Sequence, residues 1–432
     1  MKAIFEHFQA GNMKPGDPSI KLTPPGLRPP AKALFICFSL FLFSSAFSIA
    51  AAQISLALCL VSSLWLAAEL RTCSQVSLRP VYFAWGVYLA WLIVSSLVND
   101  NTLGSLSAIR EEWLIVILPI GVFLHRKENW SRRLIVALAC GLLLASSYGI
   151  VQRFTGWTVS AGQKLHDAGT YWRISGNFSH PLTYGYYVVT ATVFLLTYLI
   201  LSHRSLARWS RALLVAAAVG GLVASALCNS RGPMLALAVG LIAAGFLLGK
   251  WRWVVSAIAV IGLLLLAFSP NLPRVFCERV QNDLTLDNPA GRLFIWNKSL
   301  EIAKEHPDFG CGPGNFPAAY ASQLNANSTG GSQGHAHNDF LHQAATGGIP
   351  ALGLYLLFWM VVIGRLWRIR RRAGPTTAAF ALSTGALVAS AAFLTGSMTE
   401  CVIADEELRQ LLYALWAAGL SQSGEAADNP ST

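Results

Sequence analysis

Charge is scarce in this chain. Only 12% of its 432 residues are Asp, Glu, Lys or Arg and 54% are hydrophobic, against about a quarter charged in an ordinary soluble domain. Acidic residues are the rarer kind, 21 against 32 basic. That composition excludes a typical soluble domain and points to a membrane protein. Cysteine-based metal chemistry is missing too, because the 8 cysteines include no CxxC spacing. Most lie in or beside apolar segments, where a thiol behaves as a small hydrophobe. Cys277, Cys311 and Cys401 fall outside those segments, and both a Cys277–Cys311 disulfide and free thiols remain open readings. No small-residue cleavage site follows the first apolar run, which is therefore expected to stay as an anchor.

Long apolar runs, by contrast, are abundant. A membrane-spanning helix needs about 20 mostly apolar residues. Segments near 33–51, 53–70, 81–98, 113–124, 134–151, 185–201, 212–229, 234–249, 253–269, 348–364, 376–395 and 408–421 qualify, giving an all-α polytopic protein with about twelve transmembrane helices. The segment at 113–124 is the shortest. The expected division is a polar, proline-rich cytoplasmic tail (1–32), nine helices (33–269), a large outer loop (270–347), three helices (348–421) and a short cytoplasmic tail (422–432).

Charge placement gives an independent check. With the N-terminus inside, the inner connections carry Arg71 and Arg79, then Arg126, Lys127, Arg132 and Arg133, then Arg204, Arg208 and Arg211, then Lys250 and Arg252, and finally Arg365, Arg368, Arg370, Arg371 and Arg372. Every inner connection is basic, as the positive-inside rule requires. The net charge of +11 thus reflects membrane orientation, and no nucleic-acid partner is expected.

Chemistry gathers on the outer side. The segment 152–184 carries Trp157, Tyr171 and Trp172 ahead of Arg173; its aromatics suit either an interfacial belt or a sugar platform. Arg173 has no acidic neighbour in sequence. A tight connection, Cys228 to Met234, places Arg231 beside a helix N-terminus, with Gly232 as cap and Pro233 at the first helical position. Free backbone N–H groups there favour an anion, although an arginine at that depth also reaches lipid headgroups.

The large loop reads as helix, turn, helix. Asn288-Pro289 starts a helix that Pro307 stops, with Leu293, Trp296, Leu300 and Ala303 forming an apolar stripe and Arg292 in the first turn. Gly310-Cys311-Gly312-Pro313-Gly314 must be tight turns, either a simple reversal or a weak phosphate-binding signal. Residues 338–346 form a second helix closed by Gly347-Gly348. His337 stands just ahead of it, where the helix dipole disfavours imidazolium, with Asp339 or Asn338 available to fix its ring. His335, Asn338, Asp339 and His342 crowd the same stretch. The spacing His335-x-His337 also fits a metal, but no carboxylate at a familiar spacing completes that set.

Outer arginines beside a neutral histidine suit transfer of a glycan from a lipid pyrophosphate. Guanidiniums bind the pyrophosphate and its growing charge, and the histidine takes a proton from the acceptor hydroxyl. Such a site needs no cofactor and no divalent ion. Ser230-Arg231-Gly232, Gly291-Arg292 with Trp296 following, Gly310-x-Gly312 ahead of Phe316, and His337-Asn338 before a short helix together resemble the O-antigen ligase and polymerase superfamily over about residues 215–365.

The resemblance implies a C-type glycosyltransferase fold in the bacterial inner membrane with its active site facing the periplasm. It implies an inverting, metal-independent reaction from an undecaprenyl-pyrophosphate-linked glycan donor to the lipid A–core acceptor of lipopolysaccharide. It also places the catalytic histidine at His337 and the pyrophosphate arginines at Arg231 and Arg292. Arg173, as well as His335 and Asn338, are added as substrate-binding candidates from charge and position. Related activities, an O-antigen polymerase or a protein O-oligosaccharyltransferase, remain alternatives, the latter disfavoured because only a short tail follows the last helix. A lipid-linked-sugar transporter would instead place charge along several helices at membrane depth, whereas the apolar runs here are nearly free of charge.

Overall fold

The computed structural model describes residues 29–159, 165, 172–252, 255, 262, 291–324 and 333–421. Every regular element among them is helical: α1 Pro29–Ser44, α2 Ile49–Leu64, α3 Ala67–Val98, α4 Thr102–Ala108, a 3-10 turn Arg110–Val116, α5 Ile117–His125, α6 Glu128–Thr155, α7 Pro181–Ser202, α8 Arg208–Leu227, α9 Arg231–Leu248, α10 Arg292–Glu305, α11 Phe316–Ser322, α12 Asp339–Arg372, α13 Ala378–Ser397 and α14 Glu406–Leu420. Among the described residues, seven helices are long and apolar enough to cross a membrane: the 78–98 part of α3, then α6, α7, α8, α9, α12 and α13. Of the remaining expected spans, α1 and α2 are 16-residue apolar helices, 113–124 divides between the 3-10 turn and α5, 408–421 falls on α14, and 253–269 lies largely outside the described residues.

Among the described helices, α7, α13 and α14 form the centre of the bundle, and α14 is buried from Glu407 to Leu420. The apolar windows of α7 and α13 are 83% and 72% buried, against 33% for those of α3 and α12. The reason is residue size. The α13 sequence AAFALSTGALVASAAFLTGS is dominated by Ala, Gly, Ser and Thr, and small side chains let helices approach closely where lipid supplies no hydrophobic drive. Helix α13 accordingly packs against α7, α9, α12 and α14. Large apolar side chains on the periphery, among them Leu40, Ile54, Phe83, Leu97, Phe246 and Met360, are exposed, which in this class is the lipid-facing surface.

At the end of the bundle where α8 finishes and α9 starts, the segment α10–α11 makes a small core of its own. Ile295, Ile302, Cys311, Phe316, Tyr320, Ala336 and Ala345 cluster there. The buried face of α10 is Ile295, Ser299, Ile302 and Ala303, which shares only Ala303 with the expected stripe, and Leu300 is exposed. The stripe was drawn from apolarity alone, and Ser299 takes an inward place because its Oγ donates to the Ile295 carbonyl at 2.7 Å. The helix starts at Arg292; Asn288-Pro289 lies outside the described residues. Cys311 is a buried free thiol whose pKa burial pushes up to about 11; Cys277 also lies outside them.

The glycine-rich turn turns out to dock chain against chain. The N–H groups of Cys311 and Gly312 donate to the carbonyls of Ala345 and Thr346 at 2.9 Å each, satisfying the end of the short helix that opens α12. Those donors are therefore not available to a phosphate. The helical path then breaks at Gly348 (φ 79°, ψ 176°), and Ile349 N–H donates to Pro307 O at 2.8 Å. An added Cβ at Gly348 would meet Asp308 backbone. Gly348→Ala is thus expected to destabilise by at least roughly 1–3 kcal/mol from backbone strain, read as a lower melting temperature in detergent; an unchanged melting temperature would contradict this account of the kink.

Candidate active site

The candidate residues come from four separate stretches and meet at that end of the bundle. Helix α9 begins at Arg231, with Ser230 in extended conformation as its N-cap. Pro233 is the third helical residue rather than the first, which costs nothing because the first four N–H groups of a helix have no intrahelical partner. Arg173 donates from Nη2 to Ser230 Oγ at 3.2 Å, so two guanidinium side chains stand at one helix N-terminus. Beside them, Gly232 faces Tyr186 and Thr399: a Cβ there would lie 3.1 Å from Thr399 Oγ1. Any larger residue would push this helix end away from the connection that follows α13. Tyr186 and Thr399 close the contact with a 2.8 Å hydroxyl pair.

That connection, 398–405, carries the residue that sequence reasoning missed. Glu400 is buried, and its Oε1 accepts a hydrogen bond from His337 Nδ1 at 2.7 Å. The same oxygen lies 3.5 Å from His335 Nδ1, and Oε2 lies 3.6 Å from Arg292 Nη2. The histidine loop and the start of α10 thus converge on one carboxylate of the 398–405 connection. Burial pushes the Glu400 carboxyl up, but the His337 hydrogen bond and the charges of His337, His335 and Arg292 outweigh it and hold the group below its ordinary value. The signal was present in sequence: Glu400, with Asp405, Glu406 and Glu407, interrupts two apolar runs in a chain where acidic residues are scarce.

His337 is held by its backbone as well as its ring. Its φ is 50°, and among the described residues only Asn229 shares a positive φ without being glycine; both flank candidate residues. A side chain in that region costs of order 1–3 kcal/mol and persists only when the surroundings over-determine it. Here Trp296 Nε1 donates to His337 O at 3.2 Å, His337 N donates to His335 Nδ1 at 3.3 Å, and Ala336 between the two histidines is fully buried in the small core. The two rings stand 4.4 Å apart, nearly edge to face. Burial, with the neighbouring His337, lowers the His335 pKa against the opposing pull of Glu400.

Asn338 and Asp339 do not orient the His337 ring. Asn338 is the N-cap of α12: its Oδ1 accepts from the N–H groups of Phe340 and Leu341 at 2.9 and 3.1 Å, and its Nδ2 donates to Met398 O at 3.1 Å. Asp339 is fully buried and accepts from Ile403 N at 3.3 Å. Both pin the 398–405 connection to the start of α12, which keeps Glu400 against His337. His180, the N-cap of α7, faces the same cluster; burial lowers its pKa, helped by the positive charge of Arg173.

A metal has a fuller donor set here than spacing suggested. One ligand atom each from His335, His337 and Glu400 lies within 4.8 Å of the others, and Glu400 supplies the carboxylate absent from the local sequence. Yet the 2.7 Å contact from His337 Nδ1 to Oε1 is a direct hydrogen bond, and Arg292 already brings positive charge to Oε2.

Residues 216–356 match the family model for O-antigen ligase, which bears out the resemblance drawn from the motifs. Arg231, Arg292, His335, His337 and Asn338 lie inside the matched stretch; Arg173 and Glu400 lie outside it. No curated protein matches the chain.

Proposed function

With the O-antigen ligase match as premise, we propose that this protein is a multi-pass glycosyltransferase of the bacterial inner membrane. It moves a glycan from undecaprenyl pyrophosphate to the lipid A–core oligosaccharide on the periplasmic side, within a fold of about twelve crossings of C-type kind. The carrying observation is the convergence of arginines and His337 around the 398–405 connection.

The roles follow from the chemistry of each group. Arg231 and Arg292 hold the donor pyrophosphate, with Arg173 assisting at the α9 N-terminus, where backbone N–H groups add their own attraction for an anion. A carboxylate only accepts hydrogen bonds, so the proton between His337 and Glu400 sits on Nδ1 and leaves Nε2 as the acceptor in the neutral ring. Gln333, whose side-chain amide lies 3.3 Å from Nε2, presents its NH2 after an amide flip. In the reaction Nε2 takes the proton of the acceptor hydroxyl, that oxygen bonds to the anomeric carbon, and the bond from that carbon to the phosphate oxygen breaks. The electron pair leaves with undecaprenyl pyrophosphate, and attack from the opposite face inverts the centre. The arginines offset the charge on the leaving group, so no metal is required.

The test gives purified protein a lipid-linked glycan together with lipid A–core, a peptide, or a second lipid-linked glycan. Lipid A–core is expected to be glycosylated, with activity unchanged by a chelator. Transfer only to peptide or to the second glycan would assign a sibling activity. Activity lost on chelation and regained with a divalent ion would replace the proton mechanism with the metal one.

A further inference from the structure

We propose that Glu400 is a positioning residue that couples the base to the donor site: Oε1 fixes the tautomer of His337, while Oε2 holds Arg292 until pyrophosphate takes it over. This rests on the reading of His337 as the general base and of Arg292 as a pyrophosphate ligand.

Three observations carry it. The Nδ1–Oε1 contact of 2.7 Å is short enough to be a charge-assisted hydrogen bond, and it leaves Nε2 as the only ring nitrogen able to receive a proton. Next, Oε2 is buried and accepts no hydrogen bond among the described residues. An unpaired buried carboxylate oxygen is costly, and among the described residues the cation beside it, the Arg292 guanidinium, stops at 3.6 Å. Arg292 is thus close enough to offset the charge yet not committed by a hydrogen bond. Finally, Glu400 lies outside the matched stretch, on a connection held by Asn338 and Asp339 and, through Thr399, by Tyr186.

The consequence is a competition with a defined sign. A donor pyrophosphate that draws Arg292 toward itself leaves Glu400 with His337 as its chief hydrogen-bond partner, so the proton that His337 takes up is better stabilised when donor is present. Glu400 also opposes donor binding, both as a negative charge near the phosphates and as the resting partner of Arg292. Removing its charge should therefore tighten donor binding while slowing transfer. A purely structural defect lowers turnover without tightening donor binding.

The experiment measures donor KM and turnover for purified wild type, E400Q and E400D with lipid A–core as acceptor, with donor binding read separately by a lipid-linked pyrophosphate lacking the glycan. E400Q is expected to lose about 10²-fold in turnover, in the range of a compromised general base, while binding the pyrophosphate lipid several-fold more tightly. E400D keeps the charge but is one methylene short, and is expected to bind like wild type with turnover about tenfold down. Turnover of E400Q within threefold of wild type, or weaker pyrophosphate-lipid binding, overturns the proposal. Should E400Q not purify in folded form, full wild-type turnover in E400D overturns it equally. Inactivity of H337A beside an unimpaired E400Q would sink the Glu400 role and leave the base assignment standing; an active H337A would remove the base reading itself.

Discussion

Replacing His337 with Ala is expected to lower glycan transfer by roughly 10²-fold or more while the protein still folds and binds donor. The size of the effect follows from the role. In the proposed reaction pyrophosphate is a good leaving group, so the chemical difficulty lies in making the acceptor hydroxyl nucleophilic, and Nε2 of His337 is the ring nitrogen that does not bond Glu400. His337 also sits at φ 50°, so Ala leaves the backbone strained. His337→Asn serves as control, because Asn tolerates the left-handed region better than most residues and cannot act as a base. Both variants should fail alike in transfer, with Asn the more stable in thermal melts. His335→Ala is expected to do less. Near-normal turnover in purified His337→Ala would refute the assignment.

Arg292→Ala and Arg231→Ala are each expected to remove most activity, through the donor rather than the base. Charge-assisted hydrogen bonds contribute roughly 1.5–3 kcal/mol each, or about 10- to 150-fold per arginine at about 1.4 kcal/mol per factor of ten. Lys should rescue poorly at either place, because an ammonium lacks the planar fork that grips two phosphate oxygens. The loss should appear in kcat/KM for the lipid-linked donor and in direct donor binding. Arg292→Ala carries a second, opposing effect, since it also takes a positive charge from beside Glu400 and leaves that carboxylate to His337, so its loss in turnover should be smaller than that of Arg231→Ala. Full activity in both Arg292→Ala and Arg292→Lys would assign that residue to lipid headgroups. Replacing Arg173, which is tied to Ser230, is expected to weaken donor binding without abolishing turnover.

Much of this could be read in the linear chain because it is written in local chemistry. Apolar runs at helical length, basic alternate connections and a polar cluster at 334–341 each depend only on neighbouring residues. The kink at Gly348 was likewise legible as the close of a short helix, since glycine near a helix end is a local backbone signal. The buried stripe of α10 was read less well, because which face is inward depends on what lies opposite. The match to tight turns at 310–314 was correct as geometry, but only the fold shows that their N–H groups serve Ala345 and Thr346.

By itself the sequence determined that this is a many-helix membrane protein with arginines and a histidine gathered at one side, because hydropathy and charge act residue by residue. Tertiary structure decided which partner each of those groups has. Glu400 lies 63 residues from His337 along the chain, beyond the reach of any motif, and only the packing of α13 among α7, α9, α12 and α14 brings its connection against the start of α12. Small side chains permit that close approach. Electrostatic contacts depend on distance in space, so the carboxylate that orients the ring had to come from the fold.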